Sequence, residues 1–169
     1  MKTNLISLPI PTRDGEFTAH YSEKGLAGLD FPRSGRNSGP KAGVIPIPQI
    51  VREWHRTTTQ ALKAVLAGGQ PKGLPPLDWT EGTAFQQKVW KVMGKIVPGK
   101  TLSYGEIASA IGKPKASRAV GGACGANPIP VLVPCHRVLA ANKKIGGFSG
   151  GMDWKYRLLE REGVRLGAV

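Results

Sequence analysis

The feature that most constrains this chain is a break at residues 70–82, where Pro71, Pro75 and Pro76 fall close together. Proline removes a backbone donor and keeps its neighbour extended, so neither a helix interior nor a central strand can run through. The stretch reads as an extended linker. The pattern before it changes from strand to helix period, and the pattern after it is almost wholly helical. With 169 residues, the chain has room for one domain or two small ones. The expected division is an N-terminal domain with its proline-rich linker at 1–78 and a C-terminal domain at 79–169.

Before the break, residues 15–31 predict a hairpin. Phe17, Ala19 and Tyr21 alternate with polar residues, Glu23-Lys24-Gly25 supplies the turn, and Leu26 to Phe31 return. Residues 32–46, rich in Pro, Gly, Ser and Arg, predict a loop. Ile47, Ile50, Val51, Trp54, Ala61, Leu62, Val65 and Leu66 then sit at helical spacing, and Gly68-Gly69 stops the helix. After the break, Thr83-Ala84-Phe85-Gln86 is a capping box that opens a helix with Phe85, Val89, Val92, Met93 and Ile96 on one face. Ser103-Tyr104-Gly105-Glu106 is a second one, followed by Ile107, Ala108 and Ile111. A short turn at 112–115 leads to a third helix at 116–125. A last helix starts near Gly151 and ends at Gly163.

Charge is unevenly spread. Residues 1–82 carry ten Lys and Arg against seven Asp and Glu, whereas residues 83–169 carry fourteen against four. The net charge of +13 calls for an anionic partner, most simply nucleic acid, and places it on the second half. No apolar stretch reaches the ~18 residues of a membrane span, so no membrane partner is expected. Two cysteines fit a reducing compartment, and the N-terminus lacks a signal-peptide apolar region. A cytoplasmic location and a monomeric state follow as expectations, with cooperative binding along DNA left open.

Helix, four-residue turn and helix over 103–126 have the length of a helix-turn-helix. Ala116, Ser117, Ala119, Gly121, Gly122, Ala123 and Gly125 make the second helix unusually smooth around one long side chain, Arg118. Two consecutive glycines each cost roughly 1 kcal/mol in a helix interior. A smooth helix with one arginine suits a DNA groove, where the arginine can enter the base stack. Close helix–helix packing would also collect small residues.

Asn127-Pro128-Ile129-Pro130 comes next, then Val131-Leu132-Val133, which predicts a short buried strand. Pro134 ends it and presents Cys135 at its tip, beside His136 and Arg137. Only a thiolate is a good nucleophile, and cationic neighbours lower a thiol's pKa. A buried structural thiol remains the bland alternative for the pair alone. Cys124, Cys135 and His136 lack zinc-ligand spacing, so neither a metal nor another cofactor is expected.

The run Arg118-Ala119-Val120-Gly121-Gly122-Ala123, then Asn127-Pro128-Ile129-Pro130, then Pro134-Cys135-His136-Arg137-Val138 resembles the O6-alkylguanine-DNA alkyltransferases. The resemblance extends over 83–163 through Ser103-Tyr104-Gly105-Glu106, Phe148-Ser149-Gly150-Gly151, Lys155 and Glu162-Gly163. It implies an α+β (α/β) fold: a small ribonuclease-H-like α/β domain, then a mainly helical, winged-helix-like domain with a helix-turn-helix. It implies repair of double-stranded DNA by a single, irreversible transfer of an alkyl group from O6 of guanine to Cys135. O4-methylthymine stays open as a second substrate. His136 would be the base, acting through a water, Glu162 the acid that orients it, and Asn127 the brace of the active-site segment. Tyr104 would crowd the 3′ phosphate and donate a proton to N3 of the leaving guanine. Arg118 would fill the position of the flipped base, on a helix whose Ala119, Gly121 and Gly122 face the groove. Backbone groups of Cys135, Val138 and Ser149 would bind the base, and Pro130 and Phe148 would line the alkyl pocket.

Two positions depart from the family pattern. Phe148 stands where many members have tyrosine, and Gly125 where a polar or basic residue is common. Cys124 has no role in the family. Three other readings compete: a non-catalytic binder of alkylation damage, in which another residue replaces the cysteine; a plain helix-turn-helix regulator; and a cysteine hydrolase. Cys135, the Cys-His pair and the basic charge respectively speak against them.

Overall fold

The structure is a computed structural model that describes residues 4–33, 46–148 and 150–167. The predicted loop at 32–46 lies mostly outside the described residues, as does Ser149. Three antiparallel strands open the chain: β1 (Ile6–Thr12), β2 (Gly15–Ser22) and β3 (Gly25–Asp30), in the order β1-β2-β3. The predicted hairpin is β2–β3. β1 has no predicted counterpart, and it carries Pro9 and Pro11. Both prolines sit on an edge strand, where a missing donor costs no ladder bond. Leu8 and Ile10 alternate with them and turn inward.

The 18-residue helix α1 (Gln49–Leu66) packs on this sheet through Val51, Ala61, Leu62, Val65 and Leu66. Ile50, expected on the same face, is 50% exposed. Thr58 takes a core place instead, its hydroxyl donating back to the Trp54 carbonyl at 2.7 Å. The proline-rich stretch is extended, as expected, and lies along β3. Leu26 N–H donates to the Pro76 carbonyl and Asp78 N–H to the Leu26 carbonyl, both at 2.8 Å.

Helices α2 (Ala84–Met93), α3 (Tyr104–Ala110) and α4 (Ser117–Gly125) pack on one another, and α5 (Met152–Arg161) closes the chain. Both capping boxes form in full at Thr83/Gln86 and Ser103/Glu106. Trp90 ties α2 to α4, its indole N–H donating to the Ala123 carbonyl at 2.8 Å. Buried residues of both halves, from Leu8 to Leu158, form one continuous cluster. No helix among the described residues is long and apolar enough to cross a membrane.

The segment before Cys135 differs from expectation. Val131-Leu132-Val133 is a tight turn, with Val131 at φ 72°. Leu132 N–H donates to Pro130 O, and Val133 N–H to Ile129 O. Pro128, Pro130 and Pro134 leave too few donors for a ladder, so the apolar residues fill the core from a turn. Cys135–Arg137 is one 3-10 turn, and the strand follows it: β5 (Val138–Leu139) pairs in parallel with β4 (Leu102–Ser103).

Candidate active site

Asn127 holds this turn closed. Its side-chain amide donates to the Val133 carbonyl at 2.8 Å, and its Oδ1 accepts from Ile129 N–H at 3.0 Å. From the other side, Leu29 N–H of β3 donates to the Pro128 carbonyl at 3.0 Å. The turn that delivers Cys135 is thus pinned from within and from the sheet.

Cys135 is 4% exposed and opens on a cavity of about 190 Å³. Tyr104, Gly121, Cys124, Gly125, Gly147 and Phe148 complete the lining. Of the other predicted pocket residues, Pro130 and Val138 are buried but outside this lining. The Val138 carbonyl accepts from Lys155 Nζ at 2.8 Å. Phe148 is backed by Phe31 of the N-terminal half, ring centroids 5.8 Å apart and edge to face.

His136 is fully buried. Its Nε2 meets Glu162 Oε1 at 2.9 Å, and the Glu162 side chain is itself shielded from solvent. Its Nδ1 is buried with no hydrogen-bond partner among the described residues. Arg137 was expected to activate the thiol, but turns away from it. Its Nε and Nη2 grip Glu162 at 2.7–3.1 Å and its Nη1 donates to the Ile96 carbonyl at 2.6 Å. A guanidinium fork matches a carboxylate better than it matches a single sulfur atom.

Burial disfavours charge on Glu162, but the hydrogen bonds from His136 and Arg137 outweigh it and hold the carboxyl below its ordinary value. Burial pushes His136 the other way, below the usual histidine value, against the pull of Glu162. At neutral pH this is a carboxylate beside a neutral imidazole. A carboxylate only accepts, so Nε2 carries the ring proton and Nδ1 keeps its lone pair. Nδ1 is thus the ring nitrogen left able to accept a proton, while Nε2 is held by Glu162.

The thiol itself is not ionised at rest. Burial pushes Cys135 up, opposed by the Asn127 side chain and the Lys155 charge. The expectation of an easily ionised thiol is corrected here: His136 and Arg137 spend their hydrogen bonds on Glu162, and desolvation wins. Arg137 takes a role other than the expected one, and Lys155 and Cys124 had no expected role. Arg137 is the second holder of Glu162. Lys155 is buried with its ammonium on the Val138 and Gly147 carbonyls, its pKa pushed down to about 8 by burial. Cys124 shares the cavity, donates to Met93 Sδ at 3.5 Å, and is pushed up to about 12 by burial. Burial also raises Tyr104, so its hydroxyl stays protonated.

α4 has two faces. Val120, Ala123 and Cys124 are buried, while Arg118, Ala119, Gly122 and Gly125 are exposed. A side chain at Gly122 or Gly125 would meet nothing within 4 Å. Packing within this chain therefore does not demand those glycines, which leaves the smooth face free to approach an external surface.

Fold and site together describe a helix-turn-helix protein with a buried cysteine behind its second helix and, next to it in sequence, a histidine paired with a glutamate. Residues 84–164 match the family described as 6-O-methylguanine DNA methyltransferase, DNA binding domain. A methylated-DNA–protein-cysteine methyltransferase of Methanosarcina acetivorans is 42% identical over 142 residues, 83% of this chain and 87% of that protein. One from Methanosarcina barkeri is 40% identical over 166 residues, 96% of this chain and 97% of that protein. The crystal structure of Mycobacterium tuberculosis OGT in complex with DNA gives a TM-score of 0.71 at 36% identity, covering 93% of this chain and 92% of that one. The chain belongs to the methylated-DNA–protein-cysteine methyltransferase family.

Proposed function

We propose that this protein reverses alkylation damage in double-stranded DNA directly. An O6-alkylguanine, chiefly O6-methylguanine, is flipped out of the duplex and its alkyl group passes irreversibly to Cys135 in a single turnover. The observation that carries this reading is Cys135 opening on a small cavity with the His136–Glu162 pair behind it.

The chemistry follows from the protonation states. Cys135 is a thiol at rest, so its proton must leave before the sulfur attacks. His136 Nδ1 takes that proton through a water while Glu162 holds the ring. The sulfur bonds to the alkyl carbon and the carbon–O6 bond breaks, its electron pair moving into the purine. Tyr104, protonated and at the cavity wall, donates to N3, so that neutral guanine leaves rather than its anion. The net products are a thioether and guanine, and nothing regenerates the thiol. The Lys155 charge favours the thiolate that forms before attack.

The target atom is inaccessible inside a duplex, so the base must leave the stack. Arg118 on the exposed face of α4 fills the vacated place, with Ala119, Gly121 and Gly122 allowing close approach to the minor groove. Main-chain groups at the Cys135 turn hold the base, and Phe148 walls the cavity beside the alkyl group. We assign residues 1–78 and 79–169 as the two domains.

Incubation with an oligonucleotide carrying O6-methylguanine is the test. Mass spectrometry is expected to find one added methyl group on Cys135 and one equivalent of restored guanine. Unmodified protein that still binds the oligonucleotide would overturn the reading. Arg118→Ala is expected to slow transfer from duplex DNA by roughly 10- to 100-fold, since unstacking a base costs a few kcal/mol. Reaction with free O6-benzylguanine, which needs no flipping, is expected to stay at the wild-type rate. Equal slowing of both would remove the base-flipping role.

A further inference from the structure

Arg161 is the last residue of α5, and Glu162 follows it directly. The Arg161 guanidinium reaches into the N-terminal half of the chain. Both carboxylate oxygens of Asp14, in the β1–β2 turn, accept from it at 2.6 and 2.9 Å. The Leu66 carbonyl at the end of α1 accepts at 2.9 Å, where the free carbonyls of a helix end favour a cation. The main chain docks too. Gly68, at φ 85°, lies so close to the Arg161 carbonyl that a methyl group there would overlap it. Arg161 in turn holds the Asp14 carboxyl below its ordinary value.

A partly exposed ion pair by itself adds little stability. A bidentate pair with a helix-end carbonyl and a backbone contact fixes a position. The position matters because of the next residue. Glu162 must meet His136 Nε2 and the Arg137 fork at once, all between 2.7 and 3.1 Å. A shift at the end of α5 cannot preserve both.

We propose that Arg161, gripped by Asp14, is a positioning residue for alkyl transfer: the docking of the N-terminal half sets the place of Glu162 and hence the orientation of the His136 ring. The inference rests on reading Glu162 as the acid that orients His136. It assigns the β1–β2 turn a part in the reaction, although that turn does not line the cavity around Cys135.

The test compares Asp14→Asn and Arg161→Gln with wild type, each below its own melting temperature. Both variants are expected to slow transfer about tenfold, the scale of a small misplacement of a catalytic group. Unlike Arg118→Ala, they slow duplex DNA and free O6-benzylguanine equally. The acid limb of the pH–rate profile is expected to move to lower pH. The groups facing His136 are Glu162, Arg137 and Lys155, and only Glu162 favours the imidazolium. Loosening it makes the ring harder to protonate. Glu162→Gln serves as the reference. If it slows transfer while the Asp14 and Arg161 variants keep the wild-type rate and pH profile, with only their melting temperature lowered, the positioning role is overturned. If Glu162→Gln itself leaves transfer unchanged, the reading of Glu162 falls and this inference with it.

Discussion

Glu162→Gln is expected to cut transfer from O6-methylguanine DNA by about 10²- to 10⁴-fold, the range that a positioned general base contributes. Glutamine keeps the shape and loses the charge. A carboxylate accepts from His136 Nε2 and from the Arg137 fork together; an amide offers one oxygen and two donors. One of its donors then faces either the guanidinium or the imidazole. If it faces the imidazole, the ring adopts the other tautomer and Nδ1 carries the proton, which ends its use as a base toward Cys135. Stability falls as well. Arg137 is 4% exposed, and removing one partner of a buried ion pair costs about 3–5 kcal/mol. The Ile96 carbonyl still accepts from Nη1, which favours the lower end. Rate and melting temperature are measured separately, with kinetics well below the midpoint.

Acidity gives a second reading of the same group. The folded Glu162 carboxyl lies below its ordinary value, so the stability it contributes is present above the unfolded pKa. That stability is lost as pH falls through the folded one. The variant lacks this limb. His136, also pushed down, becomes protonated only below the usual histidine value. Wild-type transfer therefore stays on through mild acidity and drops as the imidazole gains its second proton. A stability–pH curve of Glu162→Gln that overlays wild type would show that the carboxylate is not held as described.

Cys135→Ser is expected to abolish the adduct entirely. Serine is close in volume, so the pinned turn of 127–134 keeps its form. The hydroxyl is a far weaker acid than a thiol and a poorer nucleophile toward an alkyl carbon. A base acting through one water does not bridge that gap. DNA affinity is expected to match wild type, because the exposed face of α4 does not include residue 135. Cys124 does not substitute: it lines the same cavity, but burial pushes it up to about 12 and its hydrogen goes to Met93. A methyl group found on Cys124 in the Cys135→Ser protein would refute this ranking of the two thiols.

The elements that were legible in the sequence are those with local causes. Thr83/Gln86 and Ser103/Glu106 each satisfy helix-end donors within four residues, and both boxes form. The α1 periodicity, the β2–β3 hairpin and the α3–turn–α4 unit depend on neighbours a few positions away. One local reading failed. Val131-Leu132-Val133 has strand-like residues but lies between prolines, and its hydrogen bonds close a turn that Asn127 completes. β1 carries Pro9 and Pro11 and had no predicted counterpart.

The chemistry divides in the same way. The order of motifs from Tyr104 through Arg118, Asn127 and Cys135 to Glu162 was readable along the chain only through its resemblance to the family; taken alone, Glu162 read as an exposed helix-end charge. The direction of each side chain was not readable. Arg137 follows Cys135 and His136 in sequence, which suggested help for the thiol, yet its planar fork chooses the distant carboxylate. The resting protonation of Cys135 is likewise a matter of burial, which depends on everything packed above it.

By itself, then, the sequence determined the helices, the hairpin, the basic second half and the residue types available for alkyl transfer, since propensity, capping and charge act over short range. Only the tertiary structure decided that Glu162 joins His136 to Arg137, that Cys135 rests as a thiol, and that Asp14 holds the end of α5. Those outcomes depend on distances between residues far apart in the chain and on the exclusion of water, and neither is encoded locally.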